Sequence, residues 1–252
     1  MIHKGRWTWG RQLQWGILLF MIFVFSNFFI YDTSVYFKSI FNLVFSIITF
    51  TIFIVSAGTT QALTKKIELT KSVLIWGGIC MIVIIFDMAI YNIPKNIYVV
   101  FTSRYFWTNT IYALSAAIFE ESICRGLFLS SFLQLGIYRG TKFNVTRSAI
   151  YSSLLFSGLH IINLSSGSAN MVFQQMFSAL AIGMLFVVVR IITNGFLWPI
   201  LIHFILDWGP LVSYSYSGDN DWIITIVIFT VIFLISIKTL SIFDRQIMAS
   251  SD

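Results

Sequence analysis

Apolar runs of about 20 residues, separated by short polar stretches, recur along the whole chain, and about 20 residues is what an α-helix needs to cross a hydrocarbon core. The pattern predicts about eight spans, near residues 12–31, 37–57, 73–92, 107–136, 147–164, 170–193, 196–214 and 222–241. Pro94 breaks the helix after the third run. Ile97 to Phe106 is apolar but interrupted by Arg104, so it reads either as an interfacial helix or as the start of the fourth span.

The loops give an orientation. With the N-terminus inside, inner segments hold Lys4, Arg6, Arg11, Lys65, Lys66, Lys71, Arg139, Lys142, Arg147, Arg190, Lys238 and Arg245. Outer segments hold only Lys38, Lys95 and Arg104. This positive-inside bias places both termini in the cytoplasm, and losing one span would scatter the basic loops to both sides. Arg104 and Arg190 read as span-end anchors.

Composition sharpens the fold class. The chain is 58% hydrophobic and 10% charged, against about 25% charged residues in an ordinary soluble domain. An all-α polytopic membrane protein follows, a single transmembrane bundle over residues 1–252 with no soluble domain and no internal repeat. The net charge of +6 is spread over short loops, which suits anionic lipid and topology rather than nucleic acid. Cys80 and Cys124 lie in apolar segments and read as small buried hydrophobes, not a disulfide. The N-terminal apolar run lacks a small-residue cleavage site and reads as a retained first span.

Against this background, ionisable residues inside spans stand out. Glu120, Glu121 and Arg125 fall in the fourth run, His160 in the fifth, and His203 with Asp207 in the seventh. A charge at a helix centre costs roughly 2.5–3.5 kcal/mol on the lenient insertion scale, so such residues mark a functional site unless they pair. At 1.5 Å rise per residue, Glu120, His160 and Asp207 share one depth, with His203 about a turn away. Residues four apart share a helix face, so Glu121 pairs with Arg125 and Glu120 points elsewhere, toward His160. His203 and Asp207 likewise share a face. A carboxylate and an imidazole can hold a water and take its proton. A second His with a partner can stabilise an oxyanion. The same residues are competent ligands for a divalent metal such as zinc at a Glu120/His160/His203 site, and the sequence leaves the two chemistries open. Asp87, in the third run, reads as structural or as an interfacial cap.

Glu120-Glu121-x-x-x-Arg125, Phe156-x-x-x-His160 and His203-x-x-x-Asp207, in this order on three polar spans, resemble the CPBP family of CAAX-processing and bacteriocin-processing intramembrane endopeptidases, also called Abi. The resemblance covers about residues 107–210, a catalytic core in spans four to seven. It implies that Glu120 is the general base acting with His160, that Glu121 partners Arg125, and that His203 and Asp207 form the oxyanion side. The family's eukaryotic members carry Asn where Asp207 stands, and an ionised Asp cannot donate a hydrogen bond, so Asp207 must be protonated, orient His203 or bind metal. The family has been labelled metal-dependent and also glutamate-type.

The function expected from the resemblance is hydrolysis of a peptide bond in a membrane-associated peptide or membrane-protein substrate. That covers peptide pheromone or bacteriocin maturation, or CAAX-like processing. The Ile, Phe, Asn and Lys richness resembles chains of low-GC Gram-positive bacteria, so a multi-pass protein of a bacterial plasma membrane is expected. Two other classes compete. One is a non-catalytic bacteriocin self-immunity or scaffold protein, and the other is a transporter or proton relay, which also uses intramembrane Glu and His. Paired broken helices in matching halves, frequent in transporters, are missing from the sequence.

Overall fold

The apolar runs become helices whose starts are written in local sequence. A computed structural model describes residues 2–64, 68–165, 167–210 and 221–249. The helices are α1 (Trp9–Phe29), α2 (Val35–Ala57), α3 (Lys71–Ile90), α4 (Ile93–Thr102), α5 (Phe106–Glu121), α6 (Leu129–Tyr138), α7 (Asn144–Leu159), α8 (Ala169–Thr193), α9 (Leu197–Asp207) and α10 (Trp222–Ala249). Among the described residues there is no strand, only an isolated bridge between Ile2 and Leu63. Thr8, Ser34, Thr70 and Ser168 each accept the backbone N–H three residues on and so cap α1, α2, α3 and α8.

Pro94 sits in the first turn of α4, where its missing N–H costs nothing. The stretch 97–106 is therefore divided: α4 is a helix of its own, and Ser103–Tyr105 turn the chain into α5. From Phe106 to Tyr138 the chain is helical without a break, but Ser122–Phe128 between α5 and α6 is π-helical.

Five helices, α1, α2, α3, α8 and α10, are long and apolar enough to cross a membrane. Large apolar side chains such as Ile17, Ile22, Phe25, Ile82, Ile85, Val227 and Leu234 point outward from them. Such faces are stable against lipid and not against water. The chain is a multi-pass membrane protein. The second half of α8 is enclosed on all sides: every residue from Gly183 to Ile191 is buried, as expected of a helical stretch apolar nearly all round. It packs between α7 and α10. A second apolar core joins α1, α2, α5 and the π-helical segment. The polar site lies where the two cores meet.

The bundle departs from the sequence expectation in three places. The run at 196–214 forms a helix only over Leu197–Asp207, because Trp208 leaves the helical region at ψ 82° and Pro210 disfavours helix at the residue before it; residues 211–214 lie outside those described. Arg190 is no headgroup anchor. It is 1% exposed, donates through Nη1 to the Thr60 carbonyl at 3.0 Å, and stacks over Phe53 and Phe196. Asp87 is not an interfacial cap: it is buried in α3, and its Oδ1 has no hydrogen-bond partner among the described residues.

Polar side chains tie the helix ends together. Asp244 on α10 reaches the start of α7. Its Oδ1 accepts the Val145 N–H at 2.9 Å, and its Oδ2 accepts the Thr146 N–H at 2.8 Å and the Thr146 hydroxyl at 2.7 Å. It caps, from another helix, N–H groups that have no partner within α7. Asn194, in the left-handed conformation after α8, accepts the Ala62 and Leu63 N–H groups and donates to the Leu63 carbonyl.

Candidate active site

Glu120 and Glu121 end α5, where the helix widens. In the π-helical turns Ser122–Phe128 backbone carbonyls are offset from their usual partners, a feature frequent at functional sites. The Ser122 hydroxyl donates to the Ile118 carbonyl at 2.6 Å across the junction. Gly126 lets α2 approach: a Cβ there would lie 2.8 Å from the Phe53 ring. The segment is wholly buried, Cys124 included.

Glu121 is fully buried and binds two partners. Its Oε1 lies 3.0 Å from Arg125 Nη1 and accepts from His203 Nδ1 at 2.8 Å. The Arg125 guanidinium is 1% exposed. Its Nη1 and Nη2 make no hydrogen bond among the described residues. Its Cζ lies 4.2 Å from the Phe156 ring centroid and 5.0 Å from that of Phe186. A cation this deep needs its counter-charge and its aromatic faces together.

His203, on α9, is the hub. With Nδ1 on Glu121, its Nε2 faces Asp207 Oδ2 at 3.3 Å and Glu120 Oε2 at 3.6 Å. Glu120 and Asp207 keep part of their surface open, 28% and 41%. The closed half of the site thus holds Glu121, Arg125 and His203, and the open half holds Glu120 and Asp207.

His160 stands at the seam where α7 gives way to a 3-10 turn, His160–Ser165. Its Nδ1 bonds the Phe156 carbonyl at 2.9 Å. A neutral ring donating there leaves Nε2 as a free acceptor. His160 and Glu120 line one cavity of about 470 Å³ between α1, α5 and the 3-10 turn. Its other walls are mostly apolar, including Phe20, Phe23, Phe28 and Leu159, with Asn27 and Asn163 among the polar residues.

All six residues singled out in the sequence therefore stand around one place: Glu120, Arg125 and Asp207 each contact His203 or Glu121, which contact each other, and His160 joins them through the cavity it shares with Glu120. The His203–Glu121 bond joins residues 82 apart in sequence, so helical spacing could not reveal it. Phe186 carries no polar signature, and only the packing of α8 brings it to Arg125 and His203. Glu120, Asp207, His160 and His203 Nε2 have the chemistry of metal ligands. As placed, however, no three His, Cys, Asp or Glu side chains among the described residues form a group that could hold a metal ion.

Comparison with known proteins adds one similarity. No curated protein and no solved structure matches the chain. Residues 102–209, from the end of α4 to just past α9, match the family model described as type II CAAX prenyl endopeptidase Rce1-like. The matched stretch holds every residue of this cluster, so the site lies within the part of the chain that is similar to Rce1-like CAAX prenyl endopeptidases.

Proposed function

We propose that the chain is an intramembrane endopeptidase that hydrolyses a peptide bond in a membrane-associated peptide or protein, with Glu120 as general base. One observation carries this reading. Glu120 and His160 open together onto a cavity, Glu121 and Arg125 behind them are closed, and His203 reaches forward between the two, its Nε2 3.6 Å from Glu120.

In this reading a water in the cavity donates one hydrogen bond to Glu120 and one to His160 Nε2. Its oxygen attacks the scissile carbonyl carbon while Glu120 takes its proton. The carbonyl π electrons move to the oxygen, and a proton on His203 Nε2 meets that charge. Asp207 accepts from the same nitrogen and holds it in direction; it orients rather than donates. Collapse breaks the C–N bond, and the proton held by Glu120 passes to the leaving amine. With Nδ1–H on Glu121 and a proton also on Nε2, His203 acts as the imidazolium, its charge balanced by Glu121 and Asp207, and Arg125 holds Glu121 in place.

The α5–α6 rod, α7 and α9 join the five long helices in this account to give eight spans with both termini cytoplasmic. The bias of basic residues toward one side supports that arrangement. The substrates are short membrane-bound peptides or protein ends, as in pheromone or bacteriocin maturation or CAAX-like processing, and the setting is a bacterial plasma membrane.

Cleavage in ¹⁸O-labelled water tests the chemistry. Purified protein in lipid is expected to place one ¹⁸O in the new C-terminal carboxylate of a cut peptide. Cleavage that leaves no ¹⁸O, or that persists at full rate in Glu120→Gln, would contradict a water activated by Glu120.

A further inference from the structure

Phe186 lies outside every motif of the site, yet it touches two of the three groups that the closed half holds. It is 0% exposed, in the middle of α8. Its centroid is 5.0 Å from the Arg125 guanidinium carbon, and its ring stacks on His203 at 5.2 Å with a 32° tilt. Arg125 and His203 are also the two partners of Glu121 Oε1. The aromatic ring thus closes a loop: Glu121 to Arg125, Arg125 to Phe186, Phe186 to His203, and His203 back to Glu121.

Few other contacts hold these groups. Arg125 Nη1 and Nη2 make no hydrogen bond among the described residues, so its place is set by one ion-pair contact and the faces of Phe156 and Phe186. Phe156 meets His203 only edge-on at 6.1 Å, and Phe186 gives the closer and flatter contact. An electron-rich ring face attracts a desolvated guanidinium directionally, which an aliphatic side chain of similar volume does not. The orientation of His203 matters because its Nε2 stands 3.6 Å from Glu120 and 3.3 Å from Asp207, and small misplacements in a reacting site cost rate heavily.

We propose that Phe186 is a positioning residue of the peptide-bond hydrolysis. Its ring face holds the Arg125 guanidinium and the His203 imidazole in register with Glu121, and so aims His203 Nε2. This rests on the hydrolytic reading of the site. Phe186 does not line the cavity, so substrate binding is independent of it.

Two kinds of substitution separate holding from filling. Phe186→Leu removes the face. Replacing Phe186 with mono-, di- and trifluorophenylalanine keeps the shape and weakens the face stepwise. With reconstituted protein, Phe186→Leu is expected to lower kcat about tenfold, equivalent to about 1.4 kcal/mol, at unchanged KM. The fluorinated series is expected to lower kcat in graded steps at unchanged unfolding stability. In the ¹⁵N-labelled protein without substrate, the His203 Nδ1–H resonance, assigned by its loss in His203→Gln, is expected to shift along the same series. Fluorinated variants that match wild type in kcat and in that resonance would overturn the assignment while leaving the hydrolytic reading in place. A rise in KM that accounts for the whole loss, or a kcat that simply follows unfolding stability, would also overturn it. If the wild type cuts no peptide at all, the hydrolytic reading falls and this assignment falls with it.

Discussion

Glu121→Gln isolates the electrostatics at the centre of the account. The substitution keeps shape and one acceptor oxygen, so the His203 Nδ1–H can still be received, but it removes the one carboxylate paired with Arg125 among the described residues. The guanidinium is 1% exposed, and Nη1 and Nη2 have no hydrogen-bond acceptor among the described residues. Breaking one side of a buried pair costs about 3–5 kcal/mol, because the remaining charge is stranded. The two ring faces over Arg125 still hold it, each contributing about 1–2 kcal/mol when desolvated, so the lower end of that range, about 3 kcal/mol, is expected. Glu121→Gln/Arg125→Met removes both charges and should recover most of the loss, since apolar groups of similar volume replace a buried pair at little net cost. Reversible unfolding in mixed micelles, or steric trapping in bilayers, reads these differences directly. A Glu121→Gln stability within about 0.5 kcal/mol of wild type, below the usual effect of a buried disruption, would refute the reasoning. So would a double variant no more stable than the single one.

Two further outcomes follow from the geometry. Asp244→Ala removes three accepted hydrogen bonds at the start of α7 and should cost about 2 kcal/mol, with faster amide exchange at Val145 and Thr146; unchanged protection at those amides would contradict a cap supplied by α10. Asp207→Asn keeps an oxygen for His203 Nε2 and should retain cleavage within about tenfold, whereas Asp207→Ala should lose more than that, because an orienting acceptor is worth about 1–3 kcal/mol; equal losses in the two variants would show that Asp207 acts through its charge.

Much of this arrangement is written locally. Glu121 and Arg125 are four apart, and their pairing follows from helix geometry, even though the turn that carries them is π-helical. Pro94 marks the start of α4, and the apolar runs at 12–31, 37–57, 73–92, 170–193 and 222–241 overlap the five long helices. What the sequence hides is what distance in the chain hides. His203 meets Glu121 across 82 residues, and Asp244 caps a helix 98 and 99 residues away. Arg190 looks like a headgroup anchor because it lies near the end of an apolar run, yet the loop carrying Thr60 folds over it and gives it an acceptor. The seventh run stays apolar past Asp207, which conceals the end of α9, although Pro210 is a signal that the helix stops. Phe186 is one of 26 phenylalanines, and only the packing of α8 distinguishes it.

The most direct measurement is cleavage of a small library of membrane-bound peptides by purified protein in lipid, wild type beside Glu120→Gln, each with and without a chelator. The account predicts that the wild type cuts at least one peptide and that Glu120→Gln cuts none, while both variants remain folded and inserted. The chelator lanes separate a glutamate-type from a metal-assisted reaction. A cellular phenotype that survives in Glu120→Gln, with no peptide cut by either protein, would contradict hydrolysis and favour an immunity or scaffold role.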